Sequence, residues 1–275
     1  MKFSFVRRLR DRLRRRREQA TSKDVAPQEV EEKLAKPITS PKQLWYPKSL
    51  RLGASKTHGT YRKGYPVGAV VHYTAGNPKQ RLVDAVAWMM KIKCSYFVID
   101  QHGNISQSAP LNRYGSHAGS AKKKHSFWKG LGWGVSKHLV GIEVCCPGRL
   151  NDDLTPMYGG KPFDEALVRR VKSRHNIQAG TYYKFTEAQE SSLTQLLLWL
   201  KSNNPSVFDF DLVLGHDEVS GEAGIGYQRK IDPGASLSMT MPQFRKLLKE
   251  TYTKWFTTLF LKNCLIIMNF FAHMR

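Results

Sequence analysis

Cysteine is scarce in this sequence, and the few cysteines present are not spaced as pairs. The 275 residues contain four, with no C-x-x-C arrangement and two of them adjacent: Cys94, Cys145, Cys146 and Cys264. Small secreted domains that depend on disulfides carry a larger, ordered set. The sequence therefore does not encode a disulfide framework, and it favours synthesis in a reducing cytosol.

The N-terminus lacks the apolar run of a secretory signal. Residues 1–6 are followed directly by Arg7 and Arg8, where a signal peptide has an apolar core of about 7–15 residues. We therefore expect a protein that is synthesised in the cytoplasm without a signal peptide.

Acidic residues are few compared with basic ones. The sequence has 44 Lys and Arg against 22 Asp and Glu, a formal charge of +22, and residues 1–20 alone hold nine basic and two acidic side chains. Such a surface attracts nucleic acids, anionic lipids, lipopolysaccharide or acidic wall polymers. We expect the tail to be either a solvated arm or a contact to an anionic membrane or lipopolysaccharide.

A continuous membrane-spanning run is also missing at the C-terminus. Residues 255–272 are rich in Leu, Ile and Phe but are interrupted by Lys262, Asn263 and Asn269, whereas a spanning helix needs about 20 apolar residues. The segment is interpreted as a helix packed on the domain or an oligomer contact. A membrane-associating segment is the alternative.

Two apolar runs, far apart in the sequence, each end in a histidine. Residues 67–71 precede His72, residues 212–215 precede His216, and Asp232 follows in a third polar segment. A lone histidine at a strand end is commonly a structural residue. Two histidines and one carboxylate, however, leave the fourth position of tetrahedral zinc to water, which is the pattern of a catalytic site. The sequence therefore predicts Zn²⁺ held by these three side chains.

These motifs, in this order, resemble the zinc-dependent N-acetylmuramoyl-L-alanine amidases. That family includes phage lysozyme-type amidases, bacterial anhydro-muropeptide amidases and animal peptidoglycan recognition proteins. The resemblance extends from about Gly64 to Leu248. It implies an α/β (α+β) fold with a central mixed β-sheet flanked by helices. We place this domain at residues 46–252, between a flexible basic tail and linker at 1–45 and an apolar extension at 253–275.

The resemblance also implies two catalytic side chains. Glu143 interrupts the apolar run 138–146; taken alone, it is interpreted as facing solvent, because an unpaired buried charge is costly. The family pattern instead places it beside the metal-bound water, as the proton acceptor. Lys230, two residues before Asp232, matches the lysine that stabilises the developing oxyanion.

Three further residues are assigned to substrate binding by the same resemblance. The loop at 113–120 is similar to the W-H-A-G segment that lines the substrate groove, which assigns His117 and Gly119, although Ser116 stands where tryptophan is usual. Tyr96 occupies a position where the family commonly has histidine.

Local patterns predict the elements around these residues. A core-facing helix is expected over 79–91 after the cap Asn77, a hairpin over 95–108 and an irregular insertion over 151–180. A capping box at 186–189 predicts the start of a helix that ends before Asn203. A long glycine-rich loop is expected over 217–229, and a closing helix is expected from Met241 to Tyr252.

The resemblance implies hydrolysis of the amide bond between N-acetylmuramic acid and L-alanine, with peptidoglycan as the partner. A basic amidase without a signal peptide is similar to a phage endolysin, which is made in the host cytoplasm and acts on the periplasmic cell wall after release. The first alternative is a non-catalytic peptidoglycan-recognition module, which the complete ligand set disfavours. The second is a nucleic-acid-binding protein; no specific nucleic-acid motif is present.

Overall fold

The structure is a computed structural model that describes residues 43–92, 96–119, 134–220 and 230–272. The chain divides into two units, residues 1–39 and 40–275. All described residues belong to the second unit. The expectations for the basic tail therefore concern residues outside the described part.

A six-stranded mixed sheet forms the centre of the second unit, as predicted. Its spatial order is β1-β5-β4-β7-β3-β11; β4 and β5 are antiparallel and every other neighbouring pair is parallel. The strands of this sheet are β1 (Ser49–Leu50), β3 (Gly68–Tyr73), β4 (Phe97–Ile99), β5 (Ile105–Gln107), β7 (Leu139–Val144) and β11 (Val213–Gly215). A separate pair joins β2 (Gly59–Thr60) to β6 (Arg113–Tyr114). The predicted hairpin at 95–108 is confirmed as β4 and β5.

Helices cover both faces of this sheet. They are α1 (Leu82–Ile92), α2 (Glu187–Asn203), the single turn α3 (His216–Val219) and α4 (Met241–Ala272). On one face, α2 and α4 pack against Val71 and Ile142; on the other, α1 packs against Val98 and Cys145. The central strands β3 and β7 are therefore almost entirely buried, which explains their continuous apolar sequences.

The predicted capping box opens α2. The Thr186 hydroxyl accepts a hydrogen bond from the Gln189 backbone N–H at 3.1 Å, and the Gln189 side chain accepts one from the Thr186 N–H at 3.0 Å. Four leucines at helical spacing are fully buried against the sheet: Leu193, Leu196, Leu197 and Leu200. Both the start of this helix and its buried face are thus as predicted.

Helix α1 starts later than the sequence indicates. The Asn77 side chain accepts a hydrogen bond from the Lys79 N–H at 2.9 Å, and its carbonyl accepts one from the Gln80 N–H at 3.1 Å. Residues 77–80 therefore form a turn, and the helix begins at Leu82. Val83, which lies within the predicted core-facing helix, is 44% exposed, because it lies about 100° around the helix from the buried Leu82.

The segment 151–180 is not an irregular insertion throughout. It contributes to a three-stranded antiparallel sheet in the order β8-β10-β9, formed by Arg149–Leu150, Gly180–Tyr183 and Val168–Val171. Charged residues obscured β9 in the sequence. Arg169 is one of them: its guanidinium donates to the carbonyls of Ala235 and Leu237, at 2.7 Å each.

The closing helix α4 begins at Met241, as predicted, and continues to Ala272. Residues 253–272 are thus the C-terminal part of one 32-residue helix. Within the described residues, none of the helices combines enough length with enough apolar character to cross a bilayer.

Candidate active site

The fold brings the three predicted metal ligands together at one edge of the central sheet. His72 lies near the end of β3, and His216 follows β11 directly as the first residue of α3. Strands β3 and β11 are parallel neighbours, with Val71 opposite Gly215, so their carboxyl ends meet. The Asp217 N–H donates to the Asp232 carbonyl at 2.7 Å, which holds the third ligand beside them.

The three ligand atoms form a compact triangle. His72 Nδ1 lies 2.9 Å from His216 Nδ1 and 3.0 Å from Asp232 Oδ2, and His216 Nδ1 lies 2.9 Å from the same carboxylate oxygen. Zinc bonds of about 2.0–2.2 Å in a tetrahedron separate ligand atoms by about 3.3 Å. The triangle is slightly tighter than this and matches one small divalent ion with one position left open.

The outer contact of His216 indicates what this triangle binds. Its Nε2 lies 3.3 Å from the Ala118 carbonyl oxygen, which only accepts hydrogen bonds, so Nε2 carries the proton and Nδ1 presents a lone pair. A lone pair aimed at a carboxylate oxygen is repelled by it unless a cation lies between them. The donor set therefore fits a metal ion.

Glu143 lies on the strand next to His72. The two residues are in register between β7 and β3, so their side chains point to the same face of the sheet. Glu143 is only 6% exposed. It is therefore buried on the ligand side of the sheet, and it does not face solvent as the sequence taken alone indicated.

Lys230 is partly buried and follows residues 221–229, which lie outside the described part together with the path of that loop. Its positive charge lowers the pKa of His72, so its ammonium group lies within electrostatic range of the imidazole. Of the predicted 217–229 loop, residues 217–219 belong to α3.

The three residues assigned to substrate binding occupy different environments. His117 contacts His72 through one ring nitrogen and the Leu139 carbonyl through the other. Gly119 is exposed, with a φ of 62° that favours glycine. Tyr96 is 4% exposed and packs in the main core, and a Cβ at Gly115 would approach its hydroxyl to 2.6 Å. The structure thus brings His117 to the metal ligands and Tyr96 to the core.

A model of the Amidase_2 family, described as N-acetylmuramoyl-L-alanine amidase, matches residues 62–235, more than half of the chain. The chain belongs to this family. The matched range contains every ligand and catalytic candidate described above. No curated protein sequence matches the chain.

Solved structures of amidases are also similar to this amidase. A selenomethionine derivative of AmpD has 18% identity and a TM-score of 0.44, over 75% of this chain and 98% of that one. AmiD from E. coli, in complex with anhydro-N-acetylmuramic acid-L-Ala-D-γ-Glu-L-Lys, has 19% identity and a TM-score of 0.41, over 63% and 54%. The endolysin LysCS from Clostridium intestinale has 17% identity and a TM-score of 0.37, over 70% and 91%.

The ionisation states in the amidase site suit metal binding. Burial, followed by the charge of His216, lowers the pKa of His72 to about 4. Burial alone raises the pKa of Asp232, but the nearby imidazoles of His216 and His72 outweigh this effect and lower it overall. A neutral imidazole and an ionised carboxylate at neutral pH are the forms that bind metal.

This depressed pKa of His72 predicts an acid-sensitive fold in the metal-free amidase. In the unfolded chain the imidazole titrates near its ordinary value of about 6.5. Between that pH and about 4, the unfolded state binds more protons, so acid favours unfolding. The free energy of unfolding is expected to fall as pH drops through this window, by on the order of 3 kcal/mol from His72 alone. Above about pH 6.5, the ordinary pKa of histidine, the titration of His72 should no longer change the free energy of unfolding.

Denaturant titrations of chelator-treated protein between pH 4 and 8 measure this effect. His72→Asn removes the titrating group and should flatten the slope of the free energy of unfolding against pH. His102→Ala, at an exposed turn, should preserve that slope. Equal slopes in wild type and His72→Asn contradict the prediction.

Several residues that support the site were not found from the sequence. The Ser136 hydroxyl accepts hydrogen bonds from the N–H groups of His117 and Ala118, at 3.1 Å each. Arg245 of α4 forms a bidentate ion pair with Glu218 of α3, at 2.8 and 3.1 Å. A lone serine and one arginine of a closing helix carry no motif, so only the folded geometry reveals them.

Proposed function

We propose that this protein uses Zn²⁺, held by His72, His216 and Asp232, to hydrolyse the amide bond between N-acetylmuramic acid and L-alanine in peptidoglycan. The observation that carries the proposal is the buried triangle of ligand atoms, 2.9–3.0 Å apart, at the edge of the sheet. Membership of the N-acetylmuramoyl-L-alanine amidase family supports the choice of this amide bond as the one that is cleaved.

Each side chain has a distinct task in this reaction. Zinc, when bound, acidifies a coordinated water and polarises the substrate carbonyl. Glu143, on the strand beside His72, accepts the proton of the attacking water and passes it to the leaving nitrogen. The Lys230 ammonium stabilises the negative charge that develops on the carbonyl oxygen.

The reaction balances without any further reactant. The water oxygen forms a bond to the lactyl carbonyl carbon as the carbon–nitrogen bond breaks. The proton accepted by Glu143 ends on the alanine nitrogen. The products are a lactyl carboxylate on the sugar and a free amino terminus on the stem peptide.

A cavity along the segment that follows β3, which begins two residues after His72, supports binding of an extended substrate. It has a volume of about 590 Å³, and its wall includes residues 74–77, directly after β3, and the outer face of α1. Trp88 and Tyr158 line it and are 50% and 53% exposed. Exposed aromatic rings at a cavity mark a ligand surface, and we propose that the muramyl peptide binds along it.

The chemistry is tested by digestion of purified peptidoglycan. Zinc-loaded protein is expected to release new alanine amino termini, measured by end-group labelling, without new reducing sugar ends. Treatment with a chelator should abolish the release, and stoichiometric zinc should restore it. Cell-wall binding without any release would instead favour the recognition module, and chelator-resistant release would remove the metal from the reaction.

The biological setting that we propose is that of a phage endolysin. The protein is made in the host cytoplasm and acts on the periplasmic wall after release, and the tail at 1–20 contacts an anionic membrane or lipopolysaccharide. The net charge of +22 supports this setting. Binding of the full chain to lipopolysaccharide that is insensitive to salt would contradict the role of the tail.

A further inference from the structure

We propose that His117 is a positioning residue of the metal site and that, with the adjacent Ala118 carbonyl, it sets the tautomers of both histidine ligands. This inference rests on the metal site of the proposed function. It differs from the substrate-binding role that sequence similarity assigns to His117.

The chain of hydrogen bonds begins at the Leu139 carbonyl. His117 Nε2 lies 2.9 Å from this oxygen, and a carbonyl oxygen can only accept a hydrogen bond. His117 Nε2 therefore carries the proton. In a neutral imidazole the other nitrogen, Nδ1, is then an acceptor.

That acceptor determines the tautomer of the first metal ligand. His117 Nδ1 lies 3.1 Å from His72 Nε2, so His72 Nε2–H must donate to it. The lone pair of His72 is then on Nδ1, the atom that faces His216 and Asp232. The chain of hydrogen bonds from Leu139 through His117 thus directs this lone pair into the ligand triangle.

The segment formed by His117 and Ala118 also sets the tautomer of the second histidine ligand, His216. The Ala118 carbonyl accepts from His216 Nε2–H at 3.3 Å, which leaves the lone pair of His216 on Nδ1. The Ser136 hydroxyl accepts from both backbone N–H groups of the segment. Contacts to Ser136, in the segment that leads into β7, therefore hold the backbone of His117 and Ala118 in place, and Ser136 is not one of the ligands.

This arrangement leaves His117 little capacity to bind substrate. Both of its ring nitrogens are engaged, and its ring meets that of His72 edge-on, with centroids 5.3 Å apart and an interplanar angle of 84°. A hydrogen bond to substrate would have to replace the contact to His72 or the contact to Leu139.

The experiment compares zinc affinity in two variants of His117. His117→Ala removes the acceptor for His72 and should weaken zinc binding by roughly 10–100-fold, measured by chelator competition. His117→Gln offers an amide N–H to Leu139 and an amide oxygen to His72, and should bring the affinity back to within about threefold of wild type. His102→Ala, at an exposed turn, is the matched control and should leave it unchanged.

A second measurement reads the tautomers in the zinc-loaded protein, without substrate. In the zinc-loaded wild type, ¹⁵N shifts of the imidazoles should show protonated Nε2 and unprotonated Nδ1 for His72 and His117. His117→Gln should retain this pattern at His72, and His117→Ala should show a mixture of tautomers. If the alanine variant does not fold, wild type and the glutamine variant still give this result.

Several results would overturn the proposal. They are protonated Nδ1 on His72 in the zinc-loaded wild type, an unchanged zinc affinity in His117→Ala, and an equal loss of zinc affinity in the alanine and glutamine variants. A higher KM in His117→Ala at unchanged zinc affinity would return the residue to substrate binding. The zinc-affinity and ¹⁵N readouts do not require cleavage of peptidoglycan, so failure of the proposed reaction is recognised separately.

Discussion

Asp232→Ala is expected to abolish zinc binding and, with it, amide hydrolysis. Asp232 Oδ2 is the shared corner of the triangle, 3.0 Å from His72 Nδ1 and 2.9 Å from His216 Nδ1. Without the carboxylate, two neutral imidazoles remain to hold a divalent ion. Because Lewis-acid assistance contributes several kcal/mol, kcat/KM should fall by about a thousandfold or more. Metal content and release of alanine amino termini measure the two effects.

Two further variants make this result specific. Asp232→Asn keeps the size of the side chain and removes the charge, so it should also lose zinc while preserving the fold, as judged by its melting curve. Asp153→Ala removes an exposed carboxylate that accepts hydrogen bonds from Thr155, and this variant should keep both zinc and activity. Full zinc content and normal turnover in both Asp232 variants would exclude this residue as a ligand.

Glu143→Gln should separate catalysis from metal binding. The glutamine occupies the same buried position on β7 opposite His72 but cannot accept the proton of the attacking water. Loss of a general base costs about a hundredfold to ten-thousandfold in rate. We therefore expect kcat to fall within that range while zinc affinity stays close to that of wild type.

The comparison variant for Glu143 is Glu187→Gln, in the exposed first turn of α2. It makes the same chemical change away from the site and should leave kcat unchanged. If Glu143→Gln retains more than about a third of wild-type kcat, another group accepts the proton. If it loses zinc instead, Glu143 acts on the metal site and not on the water.

The metal triangle could be predicted from the sequence because its signals are local. An apolar run that ends in histidine occurs twice, and β3 and β11 are parallel neighbours, so both histidines reach the same edge of the sheet. The helix α2 was equally accessible, because its capping box and its leucine spacing are local patterns as well.

The surroundings of the triangle depend on contacts between distant segments, and the sequence does not reveal them. The burial of Glu143 follows from helices on both faces of the sheet, so a polar residue in β7 says little about exposure. The contact between His117 and His72 joins residues 45 apart through an irregular loop. Likewise, β9 was missed because Arg169 and its neighbouring arginine outweighed the flanking valines.

The ion pair between Arg245 and Glu218 has a consequence for how the enzyme emerges from the ribosome. His72 is translated 144 residues before His216, and the turn that carries His216 is braced by a helix that starts only at Met241. A nascent chain that ends before this helix lacks the brace. The candidate ligands His72 and His216 are thus held in their final arrangement only after translation has passed Arg245.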